Sequence, residues 1–156
     1  MAGYSGTPLF QKLGIKPGHR VALLAAPEAF PDTLGELPEG VVLRRGFPKS
    51  KRPPDCILLF VSSRSQLQRQ VPILRTRMAP ESGLWVCWPK KASQVQTDMT
   101  EEAIRQVALP IGLVDNKVCA VDATWSALRL VIRLEFRSRP RRATQNRAAL
   151  AQLSQS

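Results

Sequence analysis

The chain is short of metal ligands. It has one histidine, His19, and three cysteines, Cys56, Cys87 and Cys119, with no CxxC pair. Zinc sites need thiolates and imidazoles at close spacing, so no metal site is expected. Each cysteine lies in an apolar run, where a thiol behaves as a small buried hydrophobe; a reactive thiol is the rival reading. Three free thiols suit a reducing cytoplasm. Long hydrophobic runs are lacking as well. The longest, near Val21–Ala26 and Ile57–Val61, fall far short of the ~18–20 residues that span a bilayer, so no membrane association is expected. The opening, MAGYSGTPLFQ, has no basic segment leading into an apolar one, which argues against a secretory signal. Its Met-Ala-Gly start argues against myristoylation.

What is present is one domain's worth of ordinary globular composition. The 156 residues are 44% hydrophobic and 22% charged, enough to bury a core without disulfides. The 23 Lys and Arg outnumber the 12 Asp and Glu, for a net charge of +11. The excess is uneven. Residues 1–80 hold 12 bases against 5 acids, residues 81–136 hold 6 against 7, and residues 137–156 hold 5 arginines and no acid. The chain therefore divides into one domain, residues 1–136, and a basic, largely disordered tail, residues 137–156. Such a tail can attract polyanions weakly without reading sequence, or simply keep the protein soluble.

Hydrophobic periodicity alternates between strand and helix. Thr7-Pro8 opens a short helix over residues 7–13, closed by Gly14. Arg20–Ala26 is a continuous apolar strand. Phe30, Leu34 and Leu37 form a short helical face, and Val41–Leu43 a strand ending at Arg44-Arg45. Gly46–Pro54 is a basic, proline-rich loop, and Asp55–Val61 a third strand. Leu67, Val71, Leu74 and Met78 line one face of a helix, with Ser65 and Gln68 in capping-box spacing; Pro72 should kink or split it. Leu84–Trp88 is a strand. Asp98 and Glu101 cap a helix carrying Ile104, Val107, Ala108 and Ile111. Lys117–Val121 and Ala127–Leu134 leave no room for a helix between them and must pair antiparallel or lie as neighbours, with Trp125 in the turn.

Continuous apolar strands alternating with helices imply an α/β, three-layer Rossmann-like domain with a mostly parallel sheet. The run LGIKPGHRVALLAAP resembles the opening of class I, adenosylmethionine-dependent methyltransferases. GLVDNKVCAVDATWSALRLVIR resembles their closing helix end and antiparallel strand pair. This resemblance covers most of residues 12–134. It implies a sheet lacking one strand of the full fold: six strands in the order 2-1-3-4-6-5, the last strand antiparallel. MAGYSGTPL, LWVCWPKKAS and KVCAVDATWS also resemble a small bacterial family catalogued only as a domain of unknown function, which implies a bacterial cytoplasmic domain and no mechanism.

In such sheets ligands bind beyond the carboxyl ends of the strands. A methyltransferase needs a glycine-rich loop after the first strand and an acid ending the second. This chain offers Ala25-Ala26-Pro27-Glu28 and Arg44-Arg45. That departure favours a non-catalytic Rossmann-like module binding a protein partner or an anionic ligand at the carboxyl rim, with no cofactor. A small enzyme acting on a phosphorylated or nucleotide substrate is the alternative, and an adenosylmethionine-dependent methyltransferase ranks below it. The candidate site is a basic crevice of Arg44, Arg45, Ser62, Ser63, Arg64, Trp88, Lys90 and Lys91, aided by a helix N-terminus. The rival is that these side chains splay into solvent while Pro27 and Phe30 plug the crevice. No catalytic residue is assigned: His19 reads as a turn residue, and no GxSxG motif accompanies the serines.

Overall fold

A computed structural model describes residues 7–47 and 52–136. The strands are β1 (Arg20–Leu24), β2 (Val42–Arg45), β3 (Cys56–Phe60), β4 (Gly83–Pro89), β5 (Leu113–Ala120) and β6 (Trp125–Ile132). The helices are α1 (Leu9–Lys12), α2 (Phe30–Leu34), α3 (Arg64–Arg75) and α4 (Glu101–Ala108). The sheet order is β2-β1-β3-β4-β6-β5. The first four strands are parallel, and β6 is antiparallel to both of its neighbours. This is the expected order. The tail, residues 137–156, and part of the proline-rich loop lie outside the described residues.

Burial explains the strand positions. Every residue of β3 and of β4 is buried, which fits their central places, whereas β2 is mostly exposed and sits at an edge. Alternate side chains feed two separate apolar layers. Ile57, Leu59, Leu84, Val86 and Trp88 face α3 and α4. Leu58, Phe60, Trp85 and Cys87 face α1 and α2, together with Val21 and Leu23 of β1. Each large side chain taken out of water this way contributes roughly 1.5–3 kcal/mol before ordering entropy is charged against it.

Local chemistry sets the helix boundaries, with two shifts from expectation. The N-cap of α3 is Ser63, whose Oγ accepts from the Gln66 amide at 3.2 Å, not Ser65. The Gln66 side chain returns the favour by accepting from the Ser62 amide at 2.9 Å. Thr100 rather than Asp98 caps α4, accepting from the Ala103 amide at 3.0 Å. Helix α3 also runs unbroken through Pro72. The acceptor that proline leaves unbonded belongs to Gln68, an exposed residue within reach of water.

Strand β5 is longer than the sequence pattern suggests because a bulge hides its alternation. Asp115 pairs with Leu130 and Lys117 with Arg129, so Asn116 is the extra residue. The bulge changes which face each parity occupies. Leu113 packs in the α4 layer and Asp115 meets Arg105 of α4 at 3.2 Å, whereas Cys119 and Val121 join the opposite layer. One edge strand therefore serves both layers.

Candidate functional site

The carboxyl ends of β1 to β4 form one rim, and the sequence placed eight site residues there. Arg44 and Arg45 diverge because successive strand residues face opposite sides. Arg45 turns toward the loop leaving β1 and donates to the main-chain oxygens of Ala26, Pro27 and Glu28 at 3.1, 3.2 and 2.9 Å. Arg44 is exposed on the other face, beside a cavity of about 110 Å³ that Arg20, Ala22, Val42 and Pro54 also line. The two arginines do not share one pocket.

The start of α3 is also engaged. Ser62 and Ser63 are spent on the cap described above, and the Ser62 carbonyl accepts from Thr97 Oγ1 at 2.7 Å. Arg64 holds Asp98 from two directions: its amide donates to Asp98 Oδ1 at 2.8 Å and its Nε to the Asp98 carbonyl at 3.0 Å. The helix N-terminus expected to welcome an anion already holds one, the chain's own carboxylate.

Trp88 is corrected from crevice wall to core residue. It is 8% exposed and packs in the layer of α3 and α4, while Trp85, fully buried, packs in the other. Trp125, expected in a turn, begins β6 and meets Phe60 edge-on at 5.0 Å; Phe60 meets Phe30 at 4.9 Å. These rings fill the α2 side of the sheet beneath the ends of β1 and β3. Lys90 is half-buried, and its amide donates to the Thr124 carbonyl at 2.7 Å. Lys91 is exposed and opens the short turn Lys91–Ser93. Of the eight residues, Arg44 and this lysine pair carry charge with no side-chain bond to the fold among the described residues.

The thiols are buried and unpaired. Burial pushes Cys56 up to about 12, against the partly opposing field of Arg129. Burial likewise raises Cys87 and Cys119. In each case burial favours the thiol over the reactive thiolate. Among the described residues no group of three His, Cys, Asp or Glu side chains could hold a metal, and no helix is long and apolar enough to cross a membrane.

Strand order and the reversed β6 together define a Rossmann-like fold of methyltransferase type. Solved structures agree. An O-methyltransferase family 2 protein from Planctomyces limnophilus, solved with apigenin, matches at TM-score 0.55 and 12% identity, over 75% of this chain and 50% of its own. The ribosomal protein L11 methylase of Lactobacillus delbrueckii subsp. bulgaricus matches at 0.54 and 11%, over 80% and 75%. An adenosylmethionine-dependent methyltransferase from Aquifex aeolicus matches at 0.53 and 12%, over 80% and 88%. The chain thus spans about half the length of the first of these. No protein-family model matches the sequence, and no curated protein matches it. The likeness corrects the reading of the chain as a non-catalytic module. The domains that share its framework are named as methyltransferases, the reading ranked last from sequence.

The rim does not fit the usual hold on adenosylmethionine. The loop after β1 has no glycine, Ala25 takes a left-handed φ of 59° there, and Arg45 occupies that loop's carbonyls. Where an acid would accept the ribose hydroxyls, β2 ends in two arginines. Arg45 could not accept a hydroxyl proton, because guanidinium only donates.

Proposed function

We propose that the chain is a small methyltransferase-type domain whose ligand binds at the carboxyl rim. The observation that carries this is the strand order β2-β1-β3-β4-β6-β5 with a reversed β6, shared with adenosylmethionine methyltransferases. Because the β1 loop is tied by Arg45, the reading assigns contact to the loop after β4, through Lys90 and Lys91, with Arg44 at the margin, while Ser62, Ser63 and Arg64 shape the start of α3 beside it and Trp88 supports from below. No methyl-transfer step is assigned to a named residue. The reading includes a domain over residues 1–136 with a separate basic tail over 137–156. It also keeps a bacterial cytoplasmic setting, supported by three free thiols and by the resemblance carried by LWVCWPKKAS and KVCAVDATWS.

Calorimetric titration with adenosylmethionine and adenosylhomocysteine tests the proposal. With the β1 loop tied and the acid missing, the native chain is expected to bind weakly but saturably through the remaining rim loops, and Arg45→Glu, which frees the loop and supplies the acid, is expected to bind more tightly. No binding by the native chain up to about 1 mM, equivalent to roughly −4 kcal/mol, ends the reading, whatever the variant does.

A further inference from the structure

The opposite rim, at the amino ends of β1, β3 and β4, carries a cavity of about 400 Å³ on the α1 side of the sheet. That lies within the roughly 300–1,000 Å³ typical of small-molecule sites. We propose that this cavity is an anion-binding site, taking a small phosphate- or carboxylate-bearing molecule through Arg129, Lys16 and His19. The proposal stands independently of any chemistry at the carboxyl rim.

Arg129 is the anchor. It projects from β6 into the cavity, partly buried, and its guanidinium has no hydrogen bond or ion pair among the described residues. A forked donor left unpaired in a concave site is the group that a carboxylate or phosphate satisfies bidentately. Its position depends on Gly83, the first residue of β4. A Cβ there would stand 2.7 Å from Arg129 Nε and 2.8 Å from Nη2, so the bare glycine makes the bed on which the guanidinium lies.

The surroundings reinforce the choice of an anion. Lys16 and His19 come from the turn between α1 and β1. The Lys16 amide donates to His19 Nδ1 at 3.1 Å, which leaves Nε2 as the imidazole's free donor. Lys117 of β5 lines the far wall and is itself tied to the Lys12 carbonyl at 3.0 Å. Two acids also line the cavity, Asp55 and Glu81. Asp55 is occupied, accepting from the Arg20 amide at 2.8 Å, and Glu81 is at the exposed mouth. The four cations, Lys12, Lys16, Lys117 and Arg129, therefore outnumber the acids. The floor is rigid: the Trp85 indole donates to the Leu13 carbonyl at 3.0 Å and fixes the end of α1 against the sheet. A preformed pocket of this kind spares the ligand the cost of ordering it.

The test uses inorganic phosphate, pyrophosphate and citrate with the full chain, at constant ionic strength with chloride as the control. Thermal denaturation and amide-resolved NMR are the two readouts. At ten times the dissociation constant a ligand should raise Tm by about 4 °C for a domain of this size. The Trp85 indole and Gly83 amide signals should shift saturably. Phosphate and citrate responding alike means the site reads charge alone; one responding without the other identifies the headgroup, and both outcomes support the proposal. Arg129→Met, its fold verified by near-ultraviolet circular dichroism, should abolish the response, and the exposed Lys16→Ala should weaken it several-fold. Should Arg129→Met fail to fold, Lys16→Ala together with the Trp85 and Gly83 shifts decides. No saturable shift with any probe overturns the proposal, as does an undiminished response in the variants.

Discussion

Arg45 donates to the carbonyl oxygen of Glu28 at 2.9 Å, so the end of β2 clasps the loop that leaves β1. Two further bonds from the same guanidinium, to Ala26 and Pro27, make the clasp three-pronged. The side chain is exposed, which limits its worth to stability. Arg45→Ala should cost only about 1 kcal/mol in denaturant unfolding. Its larger effect should be local, with faster amide exchange in residues 28–30 while the β3 and β4 amides stay protected. Unchanged exchange in that loop would show that the clasp does not order it.

Asp98 and Arg64 make the corresponding clasp on the other side of the rim, where the Asp98 carboxylate caps the start of α3. Asp98→Ala removes both the acceptor and the charge opposite the helix dipole and should cost about 1–2 kcal/mol. Asp98→Asn keeps an oxygen for the Arg64 amide and should cost roughly half as much. Equal losses in the two variants would mean that charge, not the hydrogen bond, holds the contact.

How far the sequence could be read follows from the range of each interaction. The strands were legible because β3 and β4 are buried on both faces and announce themselves as unbroken apolar runs, whereas their order followed from the resemblance to class I methyltransferases. Capping was legible only in kind: Ser65 with Gln68 and Ser63 with Gln66 share one spacing, and the choice depends on where the chain leaves β3. The start of β5 was missed because the extra residue Asn116 breaks the alternation that marks a strand. Among the proposed site residues, rim membership followed from the strand ends, but partnership did not. Nothing near Arg64 in sequence points to Asp98, 34 residues on. The amino-rim cavity was invisible for the same reason. Nothing beside Gly83 in sequence points to Arg129, which it meets only across the sheet.

The buried thiols make alkaline stability a sensitive measure of the core. Burial pushes the Cys56 thiol up to about 12 in the folded chain, against an ordinary value of 9.0. Above pH 9 the unfolded chain therefore gives up protons that the folded chain keeps. The stability these thiols contribute is fully present below pH 9 and is lost as pH rises toward 12. Each such thiol steepens the loss by up to about 1.4 kcal/mol per pH unit. Under reducing conditions, Tm should fall more steeply between pH 9 and 11 for the native chain than for Cys56→Ala/Cys87→Ala. Parallel curves would mean that other groups dominate the alkaline transition.

Phe60 is the residue on which the α2 side of the rim rests. It is the last residue of β3, 3% exposed, and lies between the edges of Phe30 and Trp125. Edge-to-face pairs of this kind add about 0.5–1.5 kcal/mol beyond the area they bury. Removing the ring also leaves a hole lined by rigid neighbours from α2 and β6. Phe60→Ala should therefore cost about 3–5 kcal/mol, a large share of the roughly 5–15 kcal/mol that holds a domain together. Phe60→Leu fills much of the volume but loses both ring contacts, and should cost less than half as much. Trp125 fluorescence provides a local check, since its ring loses an aromatic neighbour in both variants and its emission should shift to the red. Equal destabilisation by Leu and Ala would assign the effect to the ring contacts. A Phe60→Ala loss under about 1 kcal/mol would show that the neighbours collapse into the space, and the α2 side of the rim would no longer rest on the aromatic cluster.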